Sequence, residues 1–230
     1  MVHRLFYFYH YNPKVFMSAQ MLLDELKYSL RAFQIRRLEK TYEDLRIVPQ
    51  YQKAYRFFFQ QLYLPKGLAT PSVSPTLTLP VTVEAFLDKR IVAALRKAAR
   101  LQQVIENCDN RLCDELFSAE IEPNGINLAT YQHYYVKSDN YEERVDQFIL
   151  MAEVIGELYY VSQMQLLRFT LEVGRKLAGR HPLLQLAEDA LEAFKDIKDI
   201  DFLTETIEIR EIAFHNALWE NNLPEEYTGL

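Results

Sequence analysis

Apolar residues recur every three or four positions along most of the chain, which is the spacing that places them on one face of an α-helix. The first such stripe follows Ser18, a residue type that commonly caps helices, and ends near Val48. Pro49 can open a second helix, predicted over residues 49–63. Three consecutive phenylalanines on this second helix favour its burial on several sides.

The rest of the chain repeats this helical spacing. Helices are predicted over 82–118, from a cap at Asn127 to 137, over 182–197, and from a cap at Asp199 or Asp201 to about residue 220. Between a cap at residue 139 or 140 and residue 177, the stripe fits either one very long helix or two helices that meet near Ser162. No segment has the alternation of a β-strand. We therefore expect an all-α fold, a single-domain bundle of about seven to eight helices with no significant β-sheet.

Two segments depart from the helical pattern within the single domain expected over residues 1–230. Residues 1–17 form an aromatic N-terminal segment that is expected to be extended or to pack against the domain. Residues 64–80 contain four prolines and one glycine, which predicts a long loop. A loop of this length is a candidate for a lid, a linker or a disordered crossing.

The composition agrees with a helical protein, because only 6 of 230 residues are glycine. Nucleotide-binding loops need glycine where the backbone turns sharply or approaches a phosphate, so this class of site is not expected. The chain is also rich in rings, with 15 Tyr and 14 Phe. Packing of these rings in the core is favoured, and a ligand pocket lined by Tyr and Phe is the alternative.

The formal net charge of −6 provides no general attraction for nucleic acid, so no nucleic-acid partner is expected. Charge is uneven, since residues 182–230 contain twelve acidic and three basic side chains. Acidic solvent-facing helix surfaces are the favoured interpretation. The alternative is an acidic surface that docks on a basic partner or on the protein's own basic side.

The two cysteines, Cys108 and Cys113, point about 140° apart on a helix, which disfavours a disulfide or a shared metal. Free thiols suit a reducing compartment, and the N-terminal residues lack the features of a signal peptide. A cytoplasmic location is therefore predicted. No apolar run reaches about 18 residues, so no membrane span is predicted.

Two groups of polar residues were weighed as chemical sites. Glu208, Glu211 and His215 share one helix face and could begin a metal or acid–base site, yet no second helix supplies a matching carboxylate–His pair. A surface pair is therefore favoured, and no metal or cofactor is predicted. Glu153 and Glu157 share a face with Tyr160, and we expect that face to lie in solvent rather than in the core.

Residues 55–65 resemble the signature of the FFLEELY-motif family of proteobacterial proteins. The matching positions are Arg56, Phe57, Phe58, Leu62, Tyr63 and Pro65. Near the C-terminus, Phe202, Leu203, Ile207, Arg210 and Glu211 resemble the closing helices of that family. The resemblance implies an all-helical domain of bacterial, cytoplasmic type without an assigned activity, so it transfers no catalytic residue. A structural role is favoured for these residues, with Arg210 and Glu211 in a buried ion pair or lining a cleft.

The predicted function is that of a non-enzymatic helical protein that acts through protein–protein interaction or as a scaffold. Its protein partner is not specified by the sequence, and a homodimer is left open. The first alternative is a helical pocket for a small apolar or aromatic ligand. The second is a metal-dependent helical enzyme built around Glu208, Glu211 and His215.

Overall fold

A computed structural model describes residues 13–57, 87–164 and 182–227, together with residues 81, 85, 171–173 and 175–176. This part of the chain contains helices and no β-strand, which confirms the all-α prediction. The helices are α1 (Pro13–Thr41), α2 (Glu43–Arg46), α3 (Pro49–Phe57), α4 (Lys89–Ser118), α5 (Leu128–Lys137), α6 (Tyr141–Ser162), α7 (Pro182–Phe194) and α8 (Ile200–Trp219). Two 3₁₀ turns span Pro123–Gly125 and Glu225–Tyr227.

Side-chain caps set several of these helix starts as predicted. The Asn127 side chain accepts a hydrogen bond from the Thr130 amide at 3.0 Å and begins α5. The Asp199 side chain accepts one from the Phe202 amide at 2.9 Å and begins α8. Helix α6 ends at Ser162, so a single long helix to residue 177 is excluded, and residues 171–173 and 175–176 are again helical. Caps satisfy backbone amides that have no partner within the helix, which is why these signals are readable locally.

Other boundaries differ from the prediction. Helix α1 begins at Pro13 rather than after Ser18, because proline is well accommodated in the first turn, so residues 13–17 are helical. Helix α4 begins at Lys89 with Asp88 as its cap, later than the predicted start at residue 82. Helix α7 ends at Phe194 rather than near Ile197. Residues 1–12 and the predicted loop at 64–80 lie outside the described residues.

Helix α6 lies at the centre of the bundle and packs along α4, α7 and α8. Its inward side chains Met151, Val154 and Leu158 are fully buried. Helix α1 packs on α4, α3 packs on α7, and α5 lies against α4 and α8. None of the described helices is both long enough and apolar enough to cross a bilayer.

The apolar core consists of two clusters. The larger one joins α3, α6 and α7 to the end of α1 and to the first part of α4 and of α8. The smaller one joins the middle of α1 to α5 and to the ends of α4 and α8. Both clusters therefore share three helices, α1, α4 and α8, and buried polar side chains lie between them on those helices.

Candidate functional site

A layer of buried polar side chains separates the two apolar clusters, and we call it the polar layer. It contains Arg31, Gln34, Arg37, Asp109, Arg144, Gln147, Glu211 and His215, each 3% exposed or less. On two of the helices, the residues of the layer lie in sequence between residues of the two clusters. Asp109 lies between Ile105 of the larger cluster and Leu112 of the smaller one, and Glu211 lies between Ile207 and Phe214 in the same way. Polar groups removed from water need partners inside the protein, so the layer restricts how the helices can be arranged.

At one end of the layer, Glu211 joins α8 to α1. Arg37 Nη1 donates to Glu211 Oε1 at 2.6 Å, and the Tyr42 hydroxyl donates to the same oxygen at 2.9 Å. The Arg37 guanidinium also lies 4.7 Å from the centre of the Phe214 ring. Burial and the adjacent carboxylate raise the pKa of Tyr42 well above its usual value, which keeps the hydroxyl protonated as a donor. The carboxylate is therefore held by one charged and one neutral donor.

Asp109 joins α4 to α1 and α6. Its Oδ1 accepts from Gln34 Nε2 at 3.0 Å, and its Oδ2 accepts from Arg31 Nε at 3.3 Å. Arg144 Nη1 lies 3.7 Å from Oδ1, which is an ion-pair distance without a hydrogen bond. Arg31 reaches further, to Glu106, which also accepts from Lys27 at the edge of the layer. One carboxylate thus serves two buried guanidinium groups.

His215 lies deeper along α8, one turn beyond Glu211. Its Nδ1 is 2.8 Å from the Tyr135 hydroxyl, and its ring lies 4.4 Å from the Tyr141 ring. Burial, together with the charge of Arg144, lowers the pKa of His215 to about 4. The imidazole is therefore neutral at neutral pH.

The sequence-predicted group of Glu208, Glu211 and His215 is not assembled as one site. Glu211 binds Arg37 and Tyr42, His215 binds Tyr135, and Glu208 is only half-buried. Within the described residues, no three His, Cys, Asp or Glu side chains are arranged to hold a metal ion. The favoured surface pair is nevertheless wrong, because Glu211 and His215 are both fully buried. Helix α8 has apolar residues on opposite sides, so its sequence does not reveal which side faces inward.

The two motif residues at 210 and 211 have separate partners. Arg210 forms a two-pronged ion pair with Asp44, each N–O distance being 2.7 Å, and also donates to the Thr41 carbonyl at 2.9 Å. This pair is partly exposed at the surface. The buried ion pair expected for Glu211 is present, but its cation is Arg37.

The remaining motif residues divide between core and surface. Phe57 is buried edge-on against Phe194, with ring centres 5.4 Å apart, whereas Arg56 is exposed. Leu203 and Ile207 are buried in the larger cluster. Phe58, Leu62, Tyr63 and Pro65 lie outside the described residues.

The outer side of α8 carries exposed apolar residues. Phe202 is 46% exposed and packs in part on Tyr51, and Ile209 is 66% exposed. Thr206 and Ala213 continue this line at helical spacing, and we call the four residues the outer row. Beside it, Asp201, Glu205 and Glu208 form an acidic row, and these carboxylates have no basic partner within the described part of the chain.

A family model described as a domain of unknown function, DUF8198, matches residues 17–224. The chain belongs to the DUF8198 family. The match includes the polar layer and both sides of α8, so these features lie within the DUF8198 domain. No curated protein and no solved structure shows significant similarity to the chain.

Other predicted features of this DUF8198 domain agree with ordinary packing. Glu153 and Glu157 both pair with Lys97 at the surface, and Tyr160 is exposed, as expected. Cys108 and Cys113 are free and buried, and burial raises the pKa of Cys113 to about 12. These thiols are therefore poor nucleophiles at neutral pH.

One small cavity in the described core is lined by tyrosine and phenylalanine rings. A cavity of about 20 Å³ lies among Tyr42, Tyr51, Tyr55, Phe194 and neighbouring aliphatic side chains. A space of that size holds one water molecule at most. The rings around it thus contribute packing rather than a chamber for an organic ligand.

Sequence reasoning did not single out Arg31, Asp109 or Arg144. A signal was present, because Asp109 occupies a position of the apolar stripe between Ile105 and Leu112. A charged residue at such a position indicates a buried ion pair. The identity of its partner requires the tertiary structure.

Proposed function

We propose that this DUF8198 domain is a non-enzymatic helical protein that acts through protein–protein interaction, with the outer row of α8 as its docking surface. The observation that carries the proposal is the exposure of Phe202 and Ile209 on a helix whose opposite side is already buried in the core. Exposed apolar residues that line up along one helix are typical of interaction surfaces.

The chemistry beside the outer row favours a basic partner. Asp201, Glu205 and Glu208 lie beside the outer row on the same helix and carry three negative charges that no basic side chain balances in the described part of the chain. A second copy of α8 docked on this surface would bring two acidic rows together, which is unfavourable. The expected partner is therefore another protein that presents an amphipathic helix with apolar residues flanked by Lys or Arg.

The polar layer supports a structural rather than a catalytic role for the motif residues. Glu211 and His215, the strongest candidates for acid–base chemistry, are both at 0% exposure. A catalytic group must reach its substrate, and these two side chains instead contact other helices of the domain. Their burial supports the non-enzymatic part of the proposal.

The resemblance to the FFLEELY-motif family belongs to this proposal as well. Phe57 packs in the core and Arg210 and Glu211 join α8 to the first helices, as expected for residues that stabilise a shared fold. A bacterial origin and a cytoplasmic location follow from that resemblance and from the free thiols, and they remain part of the proposal.

The test is native mass spectrometry of the protein purified from its own host. Ile209→Glu places a charge on the outer row, and Tyr28→Glu is the matched control on α1, since Tyr28 is also 66% exposed. We expect a complex with a basic protein for the wild type and for Tyr28→Glu, and its loss for Ile209→Glu. Both variants change exposed positions, so both should fold.

Other outcomes of this experiment would contradict the proposal. A complex that survives Ile209→Glu would place the partner elsewhere on the surface. A mass of two chains in the wild type would replace the basic partner with a second copy. A single chain in every sample would overturn the interaction role itself.

A further inference from the structure

Arg144 in the polar layer has an unused binding edge. A guanidinium group offers Nε and Nη2 side by side, and this pair of parallel donors is the edge that holds anions in two-pronged fashion. In Arg144 both atoms are buried and have no hydrogen-bond partner within the described structure. Only Nη1 is engaged, donating to Gln147 Oε1 at 3.1 Å. A buried donor without an acceptor is costly, and here two adjacent donors share that condition.

The charge balance of the polar layer also indicates a missing negative charge. Among the described residues, the fully buried charged side chains are Arg31, Arg37 and Arg144 against Asp109 and Glu211. Glu106 and Lys27 pair at the margin and cancel one another. The buried set therefore has one excess positive charge, and buried charges require compensation.

The excess belongs to Arg144. Glu211 is engaged by Arg37 at 2.6 Å, and Asp109 accepts a hydrogen bond from Arg31 but lies 3.7 Å from Arg144. Asp109 also approaches Arg144 from the Nη1 side, which leaves the Nε–Nη2 edge away from it. One face of the guanidinium lies 5.1 Å from the centre of the Tyr135 ring.

We propose that the Nε–Nη2 edge of Arg144 binds a small monovalent anion of the size of chloride. One such ion would satisfy both donors and neutralise the excess charge. Asn140 Nδ2, on the residue that precedes α6, is likewise buried without a hydrogen-bond partner within the described structure. Because Arg144 is only 1% exposed, the anion must lose most of its water, which favours chloride and bromide over the strongly hydrated fluoride and sulfate.

The test compares the melting temperature Tm of the full chain in chloride, bromide, fluoride and sulfate at constant ionic strength. A ligand that binds only the folded state raises Tm with saturation, by about 5–10 °C at a hundred times Kd for a chain of this size. We expect that rise with chloride and bromide. Non-specific salt effects have the opposite order, because sulfate stabilises proteins by exclusion from their surface.

Two variants distinguish chloride binding at Arg144 from an effect of chloride elsewhere on the protein. Arg144→Met should remove the chloride dependence of Tm, and Arg210→Met, an arginine in a surface ion pair, should retain it. If Arg144→Met does not fold, anomalous diffraction from wild-type crystals grown in bromide decides. A bromide peak beside Arg144 Nε and Nη2 supports the proposal. A water molecule there, or a Tm that follows only ionic strength or the sulfate order, overturns it.

Discussion

Arg210 and Glu211 are adjacent on α8, and each forms an ion pair with the first part of the chain, yet the two pairs lie in different environments. Glu211 is fully buried and shares one oxygen between Arg37 and Tyr42. Arg210 binds Asp44, whose side chain is 59% exposed. Both pairs join α8 to the same region, so their comparison separates the effect of burial from the effect of connection. At the surface, a charge that loses its partner is solvated by water. In the core, the remaining charge has no water to solvate it, so the loss of its partner costs more stability.

The largest effect is expected from Glu211→Gln. This change leaves the Arg37 guanidinium buried without its carboxylate, which should lower the free energy of unfolding by about 3–5 kcal/mol. Denaturation in urea measures the loss. Glu208→Gln, one turn earlier and half-buried, is the matched control and should change stability by no more than about 0.5 kcal/mol.

A double variant sharpens the same comparison. If the buried charge is the cause, Arg37→Met combined with Glu211→Leu should be more stable than Glu211→Gln alone, because no isolated charge remains. Equal losses for Glu208→Gln and Glu211→Gln, or no recovery in the double variant, would contradict the role assigned to burial.

An intermediate effect is expected from His215, which lies on the buried side of α8. Its pKa is lowered from 6.5 to about 4 by burial and by Arg144, so the unfolded chain binds a proton that the folded chain does not. Stability should therefore be unaffected above neutral pH and should fall as pH decreases from about 6.5 to 4. The slope from one such group is at most about 1.4 kcal/mol per pH unit.

Replacement of the histidine tests this pH dependence. The difference in unfolding free energy between His215→Gln and the wild type should change across that pH range. His133→Gln, at an exposed position on α5, is the control variant. A difference for His215→Gln that is constant with pH would show that His215 does not take up a proton on unfolding.

The smallest effect is expected from Asp44→Asn in the surface pair. Loss of an exposed ion pair should cost about 0–1 kcal/mol, and high salt should reduce the difference from the wild type. Arg210 holds the pKa of Asp44 below its usual value, so the pair contributes above about pH 4 and is lost as pH falls further. If Asp44→Asn lowered the free energy of unfolding nearly as much as Glu211→Gln, and salt did not change the loss, the exposed pair would stabilise the protein as strongly as the buried pair.

Much of the fold was predictable because helix signals are local. Asn127 and Asp199 cap their helices through bonds to amides three residues away, and those bonds depend on neighbouring sequence alone. The same holds for the separation of Cys108 from Cys113, whereas for the end of α6 at Ser162 the sequence left two alternatives open. Ser18 failed as a helix start because a cap residue inside a longer helical run carries no information about where that run begins.

The candidate site was less predictable because its contacts are not local. Arg37 and Glu211 are separated by 174 positions, and Arg31 and Asp109 by 78. Spacing correctly placed Glu211 and His215 on one side of a helix, but assigned that side to solvent. On α8 both sides contain apolar residues, so periodicity could not distinguish the side that faces the core from the outer row.

The sequence by itself determined that the chain is helical and where several of its helices start and end. Each of these depends on interactions within a few residues. Only the tertiary structure decided which charges are buried, that the polar layer divides the core, and that Phe202 and Ile209 face outward. Burial is a property of the assembled helices, since it depends on which neighbours exclude water from a side chain.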